Sequence, residues 1–141
     1  MSKRPTFSDF AADLMGLPVN CVWQGYGAAI FLEFGNLTPV KRRDGTDANP
    51  KGEFSLMLDC EWRIEKSRSI LCGSGSDRPP WPLQRLVGGR VAGLSLVGRL
   101  PELSVELSNG LHVVSFATSC TQPQWTLFDR RGEEPVWLTV E

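Results

Sequence analysis

The sequence has one histidine, no long apolar run and no excess of either charge, and each shortage excludes a class of function. His112 has no second histidine with which to form a metal or catalytic pair, so no such site is predicted. Fifteen basic and sixteen acidic side chains leave a net charge of −1, whereas general nucleic-acid binders carry a basic excess. No segment approaches the roughly 20 apolar residues that span a bilayer, and the N-terminus lacks a signal-peptide core. We therefore expect a cytoplasmic protein that binds neither membranes nor nucleic acid.

Motifs for metal binding and catalysis are also missing. The four cysteines form no Cys-x-x-Cys pair, so we favour reduced thiols over a zinc site, with Cys60 as a core residue. No Gly-x-Ser-x-Gly nucleophile motif occurs, and the Gly-Ser-Gly-Ser segment at 73–76 lacks the lysine of a phosphate-binding loop. The sequence therefore predicts no metal, no cofactor and no catalytic residue, and it favours a protein that is not an enzyme.

Residues 54–65 are the most regular stretch that the sequence does contain. Apolar and polar residues alternate along it, and the apolar set is Phe54, Leu56, Leu58, Cys60, Trp62 and Ile64. This pattern is typical of a strand with one buried and one solvated face. At about 3.3 Å per residue the strand would be roughly 40 Å long, so we expect a bend or bulge within it.

The solvated face of this strand carries the best group of carboxylates, Asp59, Glu61 and Glu65. Near neighbours on one strand face lie about 6.6 Å apart, a spacing that also occurs in hydrolytic carboxylate pairs. Arg63 lies among them, and its charge would lower rather than raise a carboxylate pKa. We therefore interpret Asp59, Glu61 and Arg63 as a binding surface or a solvated face rather than a catalytic pair.

A short helix and two strands precede this stretch. Apolar spacing predicts the helix over 8–15, with Ser8 as its N-cap. Strands are predicted over 19–24 and 28–34, and alternation in the first places Trp23 on the buried face.

Residues 36–51 form a long polar connection that carries Lys41, Arg42 and Arg43. A connection of this length inside a compact domain tends to be either functional or disordered. This loop and the outer face of strand 53–65 are the two surfaces at which we expect a partner protein to bind.

An internal duplication is predicted from matches between the two halves. The residues around Glu33 are echoed around Glu106, and Trp62 is echoed by Trp125. Trp62 and Trp125 are separated by fewer residues than Glu33 and Glu106. This difference in spacing falls on the 36–51 loop, which the second half replaces with an Asn-Gly turn.

The half-repeats cover about 14–73 and 86–141, joined by a linker rich in Gly, Ser and Pro at 73–82, within a single domain over 1–141. Each half is predicted to be an antiparallel meander with one apolar face, and the chain to hold about nine strands. Two such meanders bury their apolar faces only against each other or by closing. We predict a mainly β sandwich or flattened barrel with a short N-terminal helix.

The turn Asn109-Gly110 predicts a specific strand register. A two-residue loop pairs Ser108 with Leu111 and Val105 with Val114. This register places Val114 and Phe116 on the buried face of the hairpin.

The five tryptophans separate into two groups. Trp23, Trp62 and Trp125 fall on predicted apolar faces and are interpreted as core anchors. Trp81 in the linker and Trp137 on the polar side of the last strand are candidates for an interaction surface. Burial of Trp81 by a folded-back linker remains an equal alternative.

Four sequence motifs resemble those of a group of short uncharacterised bacterial proteins. They are Gly-Tyr-Gly at 25–27, Leu-Glu-Phe-Gly at 32–35, Gly-Glu-Phe at 52–54 and Cys-x-Trp-Arg-Ile at 60–64. The resemblance covers roughly 14–129 and implies no assigned activity or catalytic residue. Some small bacterial proteins of this general type accompany secreted toxins as immunity factors.

Three hypotheses for function follow. The first is a non-enzymatic protein-binding or accessory module, of an immunity type or another, with Lys41, Arg42, Arg43, Asp59, Glu61, Arg63 and Trp81 as candidate binding residues. The second is a small-molecule binder or enzyme that uses a pocket between the half-repeats, around Trp62 and Trp125. The third is a homodimer formed by edge-strand pairing.

Overall fold

The computed structural model describes residues 5–59, 61–75, 81–118 and 124–139, without the side chain of Trp81. Within these residues the protein is mainly β with one short helix near the N-terminus, which confirms the predicted class. Cys60, Cys120 and residues 76–80 of the predicted linker lie outside the described residues.

Helix α1 spans Phe7–Leu14, and its N-cap is Thr6 rather than the predicted Ser8. The Thr6 hydroxyl accepts a hydrogen bond from the Asp9 N–H (3.1 Å), and the Asp9 carboxylate accepts one from the Thr6 N–H (3.0 Å). Thr6 is the better cap because an acidic residue three positions later closes this capping box, whereas Ala11 follows Ser8 at that distance. In the described ranges no helix has the length and apolar character needed to cross a bilayer.

Twelve strands lie within the described residues, compared with the roughly nine predicted. A 3-10 helix, Trp81–Leu86, separates the seventh strand from the eighth. The strands are β1 Val19–Gln24, β2 Ile30–Phe34, β3 Thr38–Lys41, β4 Asp47–Lys51, β5 Phe54–Leu58, β6 Trp62–Lys66, β7 Ser69–Gly73, β8 Val91–Val97, β9 Glu102–Leu107, β10 Leu111–Ser115, β11 Trp125–Asp129 and β12 Val136–Thr139.

The strands form two five-stranded antiparallel sheets and a separate hairpin of β3 and β4. Sheet 1 has the order β1-β2-β5-β11-β12, and sheet 2 has the order β8-β9-β10-β6-β7. The two orders correspond strand by strand. One becomes the other when β1, β2, β5, β6 and β7 are exchanged with β8, β9, β10, β11 and β12, respectively. Neither sheet closes, so the flattened barrel is wrong and the arrangement of two open sheets remains.

Main-chain hydrogen bonds join the two sheets along one side, at the starts of β1 and β8. The Gly16 N–H donates to the Val91 carbonyl, and the Gly88 N–H donates to the Val19 carbonyl, each over 2.8 Å. Pro18 and Arg90 form an isolated antiparallel bridge between them. The opposite edge strands of the described sheets are β12 and β7.

The buried apolar side chains of both sheets, α1 and the 3-10 helix belong to one hydrophobic cluster. Phe10 and Leu14, four residues apart on one face of α1, pack into it. Trp62 and Trp125 are 4% and 2% exposed, which agrees with their interpretation as core anchors.

The predicted single strand over 54–65 is two strands in different sheets. β5 pairs with β2 and β11 in sheet 1, and β6 pairs with β10 and β7 in sheet 2. The break between Leu58 and Trp62 replaces the expected bend, because the short neighbouring strands could not pair with a strand of the predicted length. The alternation survives the break: Phe54, Leu56, Leu58, Trp62 and Ile64 are all buried.

The two halves of the chain do not form separate meanders as predicted. The hairpin β6–β7 of the first half completes sheet 2, and the hairpin β11–β12 of the second half completes sheet 1. β11 and β12 pair as the closing hairpin of the described chain. Each sheet therefore depends on both halves for its strands.

The predicted register of the β9–β10 hairpin is wrong by one residue. Val113 pairs with Val105, and Val113 is 1% exposed whereas Phe116 is 37% exposed. The turn has three residues because the Gly110 N–H donates to the Leu107 carbonyl and Gly110 adopts a φ of 86°. A slip of one residue moves every side chain of β10 to the opposite face, which explains the error.

Trp23 also lies on the opposite face from the one predicted. A β-bulge between Val19 and Cys21 changes the alternation, so Val19 and Val22 are buried in the core. Trp23 and Cys21 consequently lie on the side of sheet 1 that faces away from the core.

Candidate functional site

The outer face of a sheet is defined here as the side turned away from the shared core. On sheet 1 the strand registers place two rows side by side across this face. The rows are Cys21–Glu33–Ser55–Phe128–Trp137 and Trp23–Phe31–Met57–Thr126–Thr139. We call the apolar set among them, Trp23, Phe31, Met57, Phe128 and Trp137, the aromatic face.

Sheet 2 has two rows at the matching positions of its own outer face. They are Gly93–Glu106–His112–Glu65–Ile70 and Ser95–Ser104–Val114–Arg63–Gly73. None of these ten residues is a tryptophan, tyrosine or phenylalanine. At four of the ten positions sheet 1 has a large aromatic side chain, whereas sheet 2 has serine, glutamate or isoleucine there.

Trp23 and Phe31 form a stacked pair at the centre of the aromatic face. Their rings are 3.8 Å apart with an interplanar angle of 2°. The Lys51 ammonium lies 4.6 Å from the Trp23 ring, a cation–π contact that ties the end of β4 to this face. The base of the β3–β4 hairpin is thus part of the same surface.

A buried carboxylate, Glu33, lies beneath this stack. Its side chain is 0% exposed. It accepts hydrogen bonds from the Trp23 indole N–H (2.9 Å), the Gly52 N–H (2.9 Å) and the Ser55 hydroxyl. The Arg130 guanidinium in turn donates to the Ser55 oxygen (3.1 Å). Burial, and secondarily the charge of Glu33, raise the pKa of the neighbouring Cys21 thiol.

Two motif glycines allow this close packing. A Cβ at Gly52 would lie 2.5 Å from the Phe34 carbonyl oxygen, and one at Gly35 would lie 2.3 Å from the Glu53 carboxylate. Gly35 also has a φ of 80°, which favours glycine. The Leu-Glu-Phe-Gly and Gly-Glu-Phe motifs are therefore adjacent in space, and a side chain at either glycine would collide with the other motif.

An open pocket of about 350 Å³ lies at the other end of the aromatic face. Thr126, Phe128, Trp137 and Thr139 line it, and its surface is chiefly apolar. Trp137 is 60% exposed and stands on the edge strand β12. This is the largest exposed aromatic side chain on the face, and it agrees with the prediction that Trp137 lies outside the core.

The predicted basic loop is a hairpin in which two of the three candidate cations, Lys41 and Arg42, have partners. Lys41 forms an ion pair with Asp47, and Arg42 donates to the Asp47 carbonyl and to the Thr46 hydroxyl. Arg43 is exposed at the turn. Hydrogen bonds from Thr46 lower the pKa of the Asp44 carboxyl and hold the turn together. Local pairing therefore satisfies much of the charge that suggested a binding loop.

The structure separates Asp59, Glu61 and Arg63, because β5 and β6 are in different sheets. Asp59 and Glu61 lie in the link between these strands, and the Thr118 hydroxyl donates to Glu61 and lowers its pKa. Arg63 lies on the outer face of sheet 2, bonded to Glu65 over 2.7 Å. The predicted strip of carboxylates along one strand face does not exist.

Trp62 and Trp125, around which a pocket was predicted, have their indole N–H groups engaged. Trp62 donates to the Ala28 carbonyl (2.6 Å) and Trp125 to the Pro101 carbonyl (2.9 Å). Trp81 begins the 3-10 helix, and its side chain lies outside the described part. Within that part, no three His, Cys, Asp or Glu residues are placed to hold a metal ion.

Sequence reasoning missed the residues that this site uses most: Glu33, Trp23, Lys51 and Phe128. Glu33 stands between Leu32 and Phe34 in an alternating strand, which usually indicates a solvated position. The signal available in the sequence was the Leu-Glu-Phe-Gly motif itself. A second signal was that Phe31, two residues before Glu33, lies on the same side of the strand. The bulge in β1 concealed the same placement for Trp23.

Comparisons with protein-family models, with curated proteins and with solved structures found no match to this chain. The resemblance to short bacterial proteins stays a prediction, and the geometry of the site is the basis for assigning a function.

Proposed function

We propose that this protein is a non-enzymatic binding module that holds a partner protein on the aromatic face of sheet 1. Aromatic residues, methionine and arginine are enriched in protein–protein interfaces, and this face combines all three. Arg130 lies 4.8 Å from the Phe128 ring, and Phe128 pairs with Trp137 across β11 and β12. The proposed contact is the aromatic face, with the base of the β3–β4 hairpin beside it, rather than the tip of the 36–51 hairpin.

The observation that supports it most is the difference between equivalent positions of the two sheets. If the fold required aromatic residues at these outer positions, sheet 2 would need them too, yet it has Ser95, Ser104, Glu65 and Ile70 there. Exposed aromatic groups that folding does not require are typical of recognition surfaces.

The experiment that tests this function is affinity purification from the native host with three variants of the tagged full chain. Trp137→Ala alters the aromatic face, Ile70→Ala removes the exposed side chain at the matching position of sheet 2, and a triple alanine variant alters Lys41, Arg42 and Arg43. We expect Trp137→Ala to lose a partner that Ile70→Ala retains. The purified pair should then bind at least about tenfold more weakly when Trp137 is alanine, since hot-spot tryptophans contribute more than about 1.4 kcal/mol.

Other outcomes would redirect the proposal. A partner lost only in the triple variant would assign binding to the hairpin tip, as the sequence suggested. A partner retained by all three variants would contradict the aromatic face. A folded protein that retains no partner would favour a small ligand, and the pocket of Thr126, Phe128, Trp137 and Thr139 would be the place to test for one.

We also infer that the two halves arose by internal duplication, with the second hairpin of each half exchanged between the sheets. The matched strand orders support this, and so do matched hydrogen bonds. The bond from Trp62 to Ala28 has its counterpart in the bond from Trp125 to Pro101. The bond from Gly16 to Val91 likewise has its counterpart in the bond from Gly88 to Val19. In the first bond the donor belongs to the first half and the acceptor to the second, and in the other bond these roles are reversed.

A further inference from the structure

We infer that Glu33 is a positioning residue for the aromatic face: its carboxylate fixes Trp23 and the base of the β3–β4 hairpin before any partner binds. The biological meaning of this role rests on the proposed function. The geometry on which it depends does not, because every group involved belongs to this chain.

The three donors to Glu33 come from three different parts of the surface. Oε2 accepts from the indole of Trp23 on β1, while Oε1 accepts from the Gly52 N–H after β4 and from the Ser55 hydroxyl on β5. A carboxylate only accepts hydrogen bonds, and its two oxygens can serve all three donors at once. A completely buried charge of this kind is stable only while these bonds are made.

The bond to Gly52 also determines where Lys51 lies. Lys51 directly precedes Gly52, and its ammonium lies over the Trp23 ring at 4.6 Å and over the Phe31 ring at 5.7 Å. Glu33 therefore holds both members of this cation–π contact, one through an indole N–H and the other through the adjacent main chain. Release of the carboxylate would free Trp23 and the hairpin base together.

The equivalent residue of sheet 2 argues that the fold itself does not need this carboxylate. Glu106 occupies the matching position, is exposed, and lies 3.9 Å from His112 rather than beneath a donor network. Glu106→Gln is consequently a matched control, with the same chemical change at the same place in the other sheet.

The test compares Glu33→Gln with Glu106→Gln in the full-length protein. Glutamine has one acceptor oxygen and one amide NH₂ group, so a donor would face either the Trp23 N–H or the Gly52 N–H. Two readouts report the result: the ¹H–¹⁵N signal and hydrogen exchange of the Trp23 indole, and the rate of trypsin cleavage after Lys41, Arg42 and Arg43. The Trp137 indole signal is the internal reference, because Trp137 makes no bond to Glu33.

In Glu33→Gln we expect Trp23 indole exchange and hairpin cleavage each to accelerate about tenfold or more, with the Trp137 signal unchanged. Glu106→Gln should match the wild type in both readouts. Should Glu33→Gln not fold, Glu33→Asp keeps the charge but is one methylene too short to reach the Trp23 indole and the Gly52 N–H together, and the same acceleration is expected.

Wild-type exchange and cleavage rates in the substituted protein would overturn the inference. Loss of the fold in both Glu33 variants would overturn it as well, since the carboxylate would then be a requirement of folding rather than of the surface. Neither readout uses a partner, so these results are independent of the test of Trp137 in binding.

Discussion

The two sheets of this protein have matching strand orders, and each holds a buried tryptophan whose indole N–H donates to a main-chain carbonyl. Their outer faces nevertheless differ in chemistry. Sheet 1 presents Trp23, Phe31, Met57, Phe128 and Trp137, and the Trp23 indole is bonded to the buried carboxylate of Glu33. Sheet 2 presents mostly charged, small and hydroxyl-bearing residues at the matching positions. The inner faces show no such difference, because both contribute apolar side chains to one core.

This contrast separates what folding demands from what it leaves free. Burial of one face per strand constrains the inner positions of both sheets, and antiparallel sheets tolerate a solvated outer face. At the positions compared, large aromatic residues occur on sheet 1 alone, and they need another explanation. On sheet 1 the explanation we propose is a surface that recognises another molecule.

The largest effect is expected from removing the two matched tryptophans. Trp62→Ala and Trp125→Ala should each lower the free energy of unfolding by about 3–5 kcal/mol, because both remove a buried ring and leave a carbonyl without its donor. Urea unfolding at constant m-value measures this. Trp137→Ala, from the exposed aromatic face, is the control and should stay within about 0.5 kcal/mol of the wild type. A large loss at one buried tryptophan and none at the other would break the equivalence of the sheets.

A second comparison concerns the two neighbouring valines of β10. Val113→Thr should cost about 1–3 kcal/mol, because the new hydroxyl is buried in the core without a partner. Val114→Thr places the same hydroxyl on the outer face of sheet 2 and should change stability by less than about 0.5 kcal/mol. Thermal or urea unfolding distinguishes them. If Val114→Thr were instead the more destabilising substitution, the two-residue turn and the register expected from Asn109-Gly110 would be correct.

The strands themselves follow closely from local patterns in the sequence. Alternation in 54–65 identified the buried residues on both sides of the break, and the echo of Trp62 in Trp125 corresponds to two indoles that donate to main-chain carbonyls of matching turns. The prediction of the buried residues succeeds because period-two burial depends only on neighbouring residues.

The errors arose where one residue changes the parity of a strand. The bulge after Val19 turned Trp23 outward, and the three-residue turn ending in Gly110 moved Val113 rather than Val114 into the core. Neither feature has a local sequence signature strong enough to specify it. The site was missed for a related reason, since Glu33 becomes a buried acceptor only when β1, β5 and Gly52, the residue after β4, bring their donors together.

The smallest effect is expected at the ends of β11 and β6, where the sheets also differ. Asp129 at the end of β11 is bonded to Arg131 (2.8 Å), which also pairs with Asp13 on α1, whereas the matching end of β6 is the exposed Lys66. The hydrogen bonds from Arg131 lower the pKa of the Asp129 carboxyl. The stability that this carboxylate contributes is therefore complete above its unfolded pKa of about 3.9, and it is lost as the pH falls through the lower folded value.

Asp129→Asn should reduce the free energy of unfolding at pH 7 by less than about 1 kcal/mol, because Arg131 is 46% exposed and solvent weakens the pair. The difference from the wild type should shrink as the pH is lowered from about 4 towards 2, where the wild-type carboxylate also becomes protonated. Urea unfolding across this range measures both effects, and Lys66→Gln, which removes a charge but no carboxylate, should keep the wild-type slope. If the difference in the free energy of unfolding stays constant over the whole acid range, Asp129 acts through packing. The two sheets would then not differ in acid sensitivity at these strand ends.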